Sequence, residues 1–92
     1  MIQSFRHKGL KRLYEDADPR GVVTEHFAKL RDILARLDAA HSAADMDLPG
    51  FRLHPLKGEW RGFWSVTVRA DWRVVFRFDD HDVHDVNYLD YH

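Results

Sequence analysis

Cysteine is absent from the chain, which removes disulfides, thiolate metal sites and thiol nucleophiles together and agrees with a reducing compartment. Glycine and proline are sparse, at five and three residues, and they form no glycine-rich phosphate loop, low-complexity segment or linker. No HExxH or Gly-x-Ser-x-Gly pattern is present. No stretch approaches the roughly 20 apolar residues of a membrane span. Met1 to Lys8 also lacks the apolar run of a signal peptide, so the chain is expected to work in the cytoplasm without a membrane partner. An excess of charge of one sign is missing too. The net charge of −1 speaks against a polyanionic partner until the charges are placed along the chain.

Placed there, they separate. All 14 Lys and Arg precede residue 79, so residues 1–78 carry +4 and the last 14 residues carry −5. Arg52, Lys57, Arg61, Arg69, Arg73 and Arg77 stand against only Glu59 and Asp71 between positions 52 and 77, which makes a basic surface if those side chains share a face. The length of 92 residues with 45% hydrophobic content supports one core, and residues 1–92 are expected to form one domain.

Periodicity divides the chain into a helical half and a strand half. Ile2 to Phe5 suits an edge strand, and Leu10, Leu13 and Tyr14 recur at helical spacing from Lys8 to Glu15. Val23, Phe27, Leu30, Leu34 and Leu37 then mark the apolar stripe of a second helix. Ser42 is placed to cap a short further turn reaching Asp45 or Asp47. After Pro49-Gly50 the period becomes two. Following a short Phe51 to Leu53 strand, Trp64, Val66, Val68 and Ala70 alternate with polar residues, and so do Trp72, Val74, Phe76 and Phe78. Asp79 to Asp82 turn the chain into a last strand from Val83 to Leu89. The expected class is α+β, with N-terminal helices on one face of a mostly antiparallel four- to five-stranded sheet and an open, arginine-lined concave face opposite.

Three groups of residues could carry chemistry. His54-Pro55-Leu56-Lys57-Gly58 offers an acid/base imidazole beside a phosphate-binding ammonium, although by spacing alone it reads as a solvated loop, the usual fate of polar loops. Asp90-Tyr91-His92 supplies carboxylate, phenol and imidazole in succession, and by position alone it reads as a frayed end. Arg73 and Arg77 share a strand face, with Arg69 joining them only if the hairpin register allows; guanidinium groups suit phosphate, and charged strand faces are also ordinary. His81 and His84 among the aspartates of the last turn match no defined metal spacing.

The order of these segments resembles the HigB toxins of the RelE/ParE superfamily. The resemblance rests on Met1-Ile2-Gln3-Ser4-Phe5-Arg6-His7-Lys8-Gly9-Leu10, on His54-Pro55-Leu56-Lys57-Gly58, on Trp64 to Arg73, and on Asn87-Tyr88 with Asp90-Tyr91-His92. It implies a RelE-like microbial RNase fold and a type II toxin that acts as a ribosome-dependent endoribonuclease, cutting mRNA in the ribosomal A site without a metal or other cofactor. Carried over position by position, His54, Asp90, Tyr91 and His92 are the expected catalytic residues, with Lys57 and Arg73 on the RNA phosphate. The implied partners are the 70S ribosome with its mRNA and a HigA-type helix-turn-helix antitoxin, through which operator DNA is reached indirectly. The alternative within the superfamily is a non-catalytic ParE-like inhibitor of a protein such as DNA gyrase, because fold alone does not settle activity. A degenerate relative that only binds its antitoxin is a third reading.

Overall fold

His7 opens the first helix. Its backbone is extended and its Nδ1 accepts the Leu10 amide proton at 3.0 Å, so an imidazole does the capping usually done by Ser, Thr, Asp or Asn. In the computed structural model, which describes residues 1–90, helix α1 runs Lys8–Asp16 and buries Gly9, Leu10 and Leu13. Ala17 ends it at φ 54°, returning its N–H to the Leu13 carbonyl. A 3₁₀ turn over Pro19–Gly21 follows. Gly21 lies backbone to backbone against Gly9, where a Cβ on either residue would meet the other's main chain; only glycine permits that approach.

Helix α2 covers Phe27–Ala39 and buries Leu30, Ile33, Leu34 and Leu37. It starts at Phe27, because Thr24–His26 form a 3₁₀ turn whose last side chain is drawn into the core. The short turn expected after Ser42 is Ala43–Met46, without a cap from Ser42. Asp45 supplies the local bond instead, its carboxylate accepting the His41 N–H at 2.9 Å.

The strand half forms an antiparallel sheet in the order β1 (His54–Pro55), β2 (Phe63–Arg69), β3 (Trp72–Asp79), β4 (Asp82–Asp90). Its inner face, built on Val66, Val74, Phe76, Val83 and Val86, packs against Leu10, Leu30, Ile33 and Leu37 in one core. Fully burying a side chain of this size contributes about 1.5–3 kcal/mol. The expected edge strand at Ile2 to Phe5 is reduced to two parallel bridges on β4, Ile2 to Val83 and Phe5 to Val86. Asp85 separates them: at φ 56° it turns its N–H to Ser4 Oγ, 2.8 Å away. The expected Phe51 to Leu53 strand is displaced to His54–Pro55, since Arg52 sits at φ 51°.

Candidate active site

The sheet face turned away from the helices carries the candidate site. Antiparallel partners share a face, so the pairings His54 with Ser65, Ser65 with Val75, Thr67 with Arg73 and Phe63 with Arg77 assign these residues to it. The face is less open than alternation suggests. Ser65 and Val75 are buried, with Val75 at 0% exposure, and the accessible space is a concavity of roughly 270 Å³ lined by Arg52, His54, Leu56, Ser65, Thr67 and Arg73.

His54 and Arg73 therefore meet in one pocket, supplied by different strands. His54 is exposed on β1, and Pro55 holds its neighbour in the ladder opposite Trp64. The Arg73 guanidinium is steadied at the β2–β3 turn, where Nη1 donates to the Ala70 carbonyl at 2.6 Å and to the Trp72 carbonyl at 3.1 Å. Its hydrogen bonds among the described residues are made through Nη1, and a planar guanidinium so anchored is suited to hold an anion in a fixed place.

The other arginines separate from this one. A register shift between Thr67 and Arg69 sets Arg69 opposite Trp72 and off the Arg73 face. Arg77 donates from Nε to Asp85 at 2.8 Å, and Arg6 approaches the same carboxylate at 3.7 Å. Arg77 chiefly, with Arg6 and His84 adding to it, holds the Asp85 carboxyl below the usual carboxylate range against the opposing effect of burial. The expected row of free arginines is thus one pocket arginine, one displaced arginine and one ion pair.

Lys57 lies in the loop that follows β1, on the residue before the 3₁₀ turn Gly58–Trp60, and it is exposed and not among the residues lining the concavity. Asp90 closes β4 opposite Trp72, beside Leu89, which pairs with Arg73. It too is absent from the lining. Tyr91 and His92 lie outside the described residues.

Beneath the end of β4 sits a polar aromatic cluster that spacing did not reveal. His26, 5% exposed, places Nδ1 2.6 Å from Tyr88 Oη, and Tyr88 Oη also accepts the Val23 N–H at 3.4 Å. With one lone pair so engaged, the phenol proton is free to be donated to His26 Nδ1. Trp72 stacks at a tilt on Tyr88, ring centroids 4.7 Å apart, and His7 meets Tyr88 edge-on at 5.2 Å. Burial pushes the Tyr88 phenol up, with the Asp90 carboxylate adding to it while the Val23 bond opposes. Burial, followed by the Arg12 charge, pushes the His7 imidazole down, and so keeps its Nδ1 available as a cap. The cluster fixes the strand end from which Asp90 emerges. No periodicity marks it, because His26 and His7 sit in turn and cap positions whose partners are distant in sequence.

Arg52, Ser65 and Thr67 are pocket residues that motif reading missed. Spacing does not mark the first, because an inserted residue at φ 51°, and not strand parity, sets its place.

Residues 3–92 match a family model described as RelE-like toxin of type II toxin-antitoxin system HigB. The chain is similar to "Endoribonuclease HigB" of Proteus vulgaris, at 44% identity over 92 residues and the full length of both proteins. It is also similar to "Toxin HigB-1" of Vibrio cholerae serotype O1, at 33% identity over 86 residues, covering 87% of this chain and 86% of that one. The YoeB-YefM complex from Staphylococcus aureus shares the fold, with a TM-score of 0.63 at 16% identity over 100% of this chain and 98% of that one.

Proposed function

The chain belongs to the HigB family of RelE-like toxins of type II toxin–antitoxin systems, and from that premise we propose that it cuts mRNA in the A site of the translating ribosome. It is an endoribonuclease toxin, and a type II toxin has a cognate antitoxin. The observation that supports the finer reading is the meeting of His54 and Arg73 in one open pocket.

The reaction is transfer at phosphorus. The ribose 2′-oxygen attacks the adjacent phosphorus, the bond from phosphorus to the 5′-oxygen breaks, and the proton lost from the first oxygen is matched by one gained at the second. An imidazole titrates near 6.5 and can serve either transfer. In this mechanism His54 and His92 share the two proton transfers, and Asp90 orients or charge-stabilises an imidazole. Arg73 and Lys57 hold the negative charge that grows on the phosphorane. Tyr91 stacks on or hydrogen-bonds a nucleotide. No metal ion is required by this route.

The ribosome supplies what the surface lacks. With Arg77 paired to Asp85 and Arg73 Nη1 held by backbone carbonyls, two pocket arginines are too few cations to hold RNA strongly by phosphate contacts alone. A cytoplasmic site of action follows from that substrate. Among the described residues no helix is long and apolar enough to cross a membrane. The antitoxin in this reading is a HigA-type helix-turn-helix protein that carries the complex to operator DNA.

Mapping of mRNA 5′ ends after induction tests the reading. The wild type should give cuts within A-site codons, and His54→Gln should lower cleavage by about 10² to 10⁴, the usual worth of a positioned proton carrier. DNA damage without mRNA cuts would overturn the nuclease reading in favour of an inhibitor of a protein such as gyrase.

A further inference from the structure

We propose that Arg52 is a phosphate-contacting residue of this pocket, a second guanidinium acting with Arg73 on the RNA backbone; the proposal rests on the nuclease reading above. Leu56 donates its N–H to the Phe63 carbonyl, and His54 pairs with Ser65, in one common register. Continued along β1, that register sets Arg52 opposite Thr67. Instead, Thr67 donates its N–H to the Phe51 carbonyl at 2.7 Å, so the β1 side carries one extra residue. Arg52 absorbs it at φ 51°.

Such a bulge re-aims a side chain, and bulges are over-represented beside active sites. The left-handed region disfavours L-residues other than Asn and Asp, and glycine would occupy it freely. Here the segment is pinned on both sides. Phe51 is buried at 3% exposure, with its carbonyl in the Thr67 bond, and His54 is held in the ladder. A chain that needed only the turn could use glycine. An arginine in that backbone conformation, lining the pocket, points to a use for its side chain.

Its charge is also available. Arg77 is engaged by Asp85 and Arg73 Nη1 by two carbonyls, whereas the Arg52 side chain has no ion pair or hydrogen bond among the described residues. The planar fork can donate two parallel bonds to phosphate oxygens, and these bonds strengthen as negative charge accumulates during attack.

The test compares Arg52→Gly, Arg52→Gln and Arg52→Lys, measuring cleavage of a purified mRNA on programmed ribosomes alongside thermal melting. Arg52→Gly suits the left-handed backbone, so its melting temperature should equal or exceed that of the wild type. Its kcat/KM should nevertheless fall about 10- to 100-fold, the scale of one charge-assisted contact. Arg52→Gln should fall as far, and Arg52→Lys should recover part of the loss, supplying the charge without the fork. A merely structural role predicts the opposite ranking, with glycine fully active. Full activity in Arg52→Gly, with cleavage lost in a His54→Gln control, overturns the Arg52 assignment alone. Full cleavage in both variants overturns the placement of the chemistry in the His54–Arg73 pocket and this proposal with it.

Discussion

Replacing Gly9 by alanine should destabilise the protein even though alanine is the better helix former. Glycine inside a helix costs up to about 1 kcal/mol relative to alanine, so on propensity alone Gly9→Ala would raise the melting temperature. The Gly9–Gly21 contact reverses the sign. A Cβ on Gly9 would stand 2.7 Å from the Gly21 carbonyl carbon and 2.8 Å from its Cα, and closer still to its carbonyl oxygen. Carbon atoms prefer about 3.5–4.0 Å. The obstruction is main chain and cannot rotate away, so the Pro19–Gly21 turn must move off α1 by roughly the missing ångström. Overpacking of this kind typically costs about 1–3 kcal/mol. After the propensity gain, the net loss is up to about 2 kcal/mol, or up to roughly 16 °C in a domain of this size. Circular-dichroism melts of Gly9→Ala, Gly21→Ala and the double variant measure it. The double variant should lose less than the sum, because the first substitution already parts the two backbones. A melting temperature above wild type in Gly9→Ala would refute the steric argument.

The Tyr14–Asp38 pair makes a pH prediction. Tyr14 Oη donates to Asp38 Oδ1 at 2.7 Å, and chiefly this bond pushes the phenol up to about 12. A folded pKa above the unfolded value of about 10 means the contribution is full below about pH 10 and is lost as pH rises through about 12. The same bond, with the Ile2 N–H, holds the Asp38 carboxyl low, so its contribution is present above about pH 4 and is lost on acidification. Tyr14→Phe should therefore shrink the alkaline limb of a plot of melting temperature against pH, leaving the part that Tyr88, also pushed up, contributes; an unchanged limb would mean that Tyr14 adds nothing to it. Asp85→Asn should keep its backbone, since Asn tolerates the φ of 56° found there, and should cost at most about 1 kcal/mol of stability. By releasing Arg77 and Arg6 it should lower the KM for ribosome-bound mRNA. A raised KM with unchanged melting would show that the paired form serves the substrate.

Legibility differed between fold and site for a physical reason. Alternation at Val66, Val68, Val74 and Phe76 located β2 and β3, because strand period and burial are local properties of the chain. Helical spacing of Leu30, Leu34 and Leu37 located α2 in the same way, though not its start at Phe27, which depends on His26 turning inward to Tyr88. The pocket was only half legible. Motif order named His54 and Arg73, which the fold brings together.

Residue type and spacing along one chain were enough for the α+β order and for the inward face of Val66, Val74 and Phe76, and the order of motifs carried the resemblance to the family. Tertiary structure alone decided which cations are free for a ligand. Arg77 is engaged because Asp85 bulges toward it, Arg69 leaves the face at a register shift, and Arg52 enters the pocket because one extra residue is inserted before His54. Bulges of this kind depend on how two distant segments pair, and single-chain periodicity carries no record of the pairing.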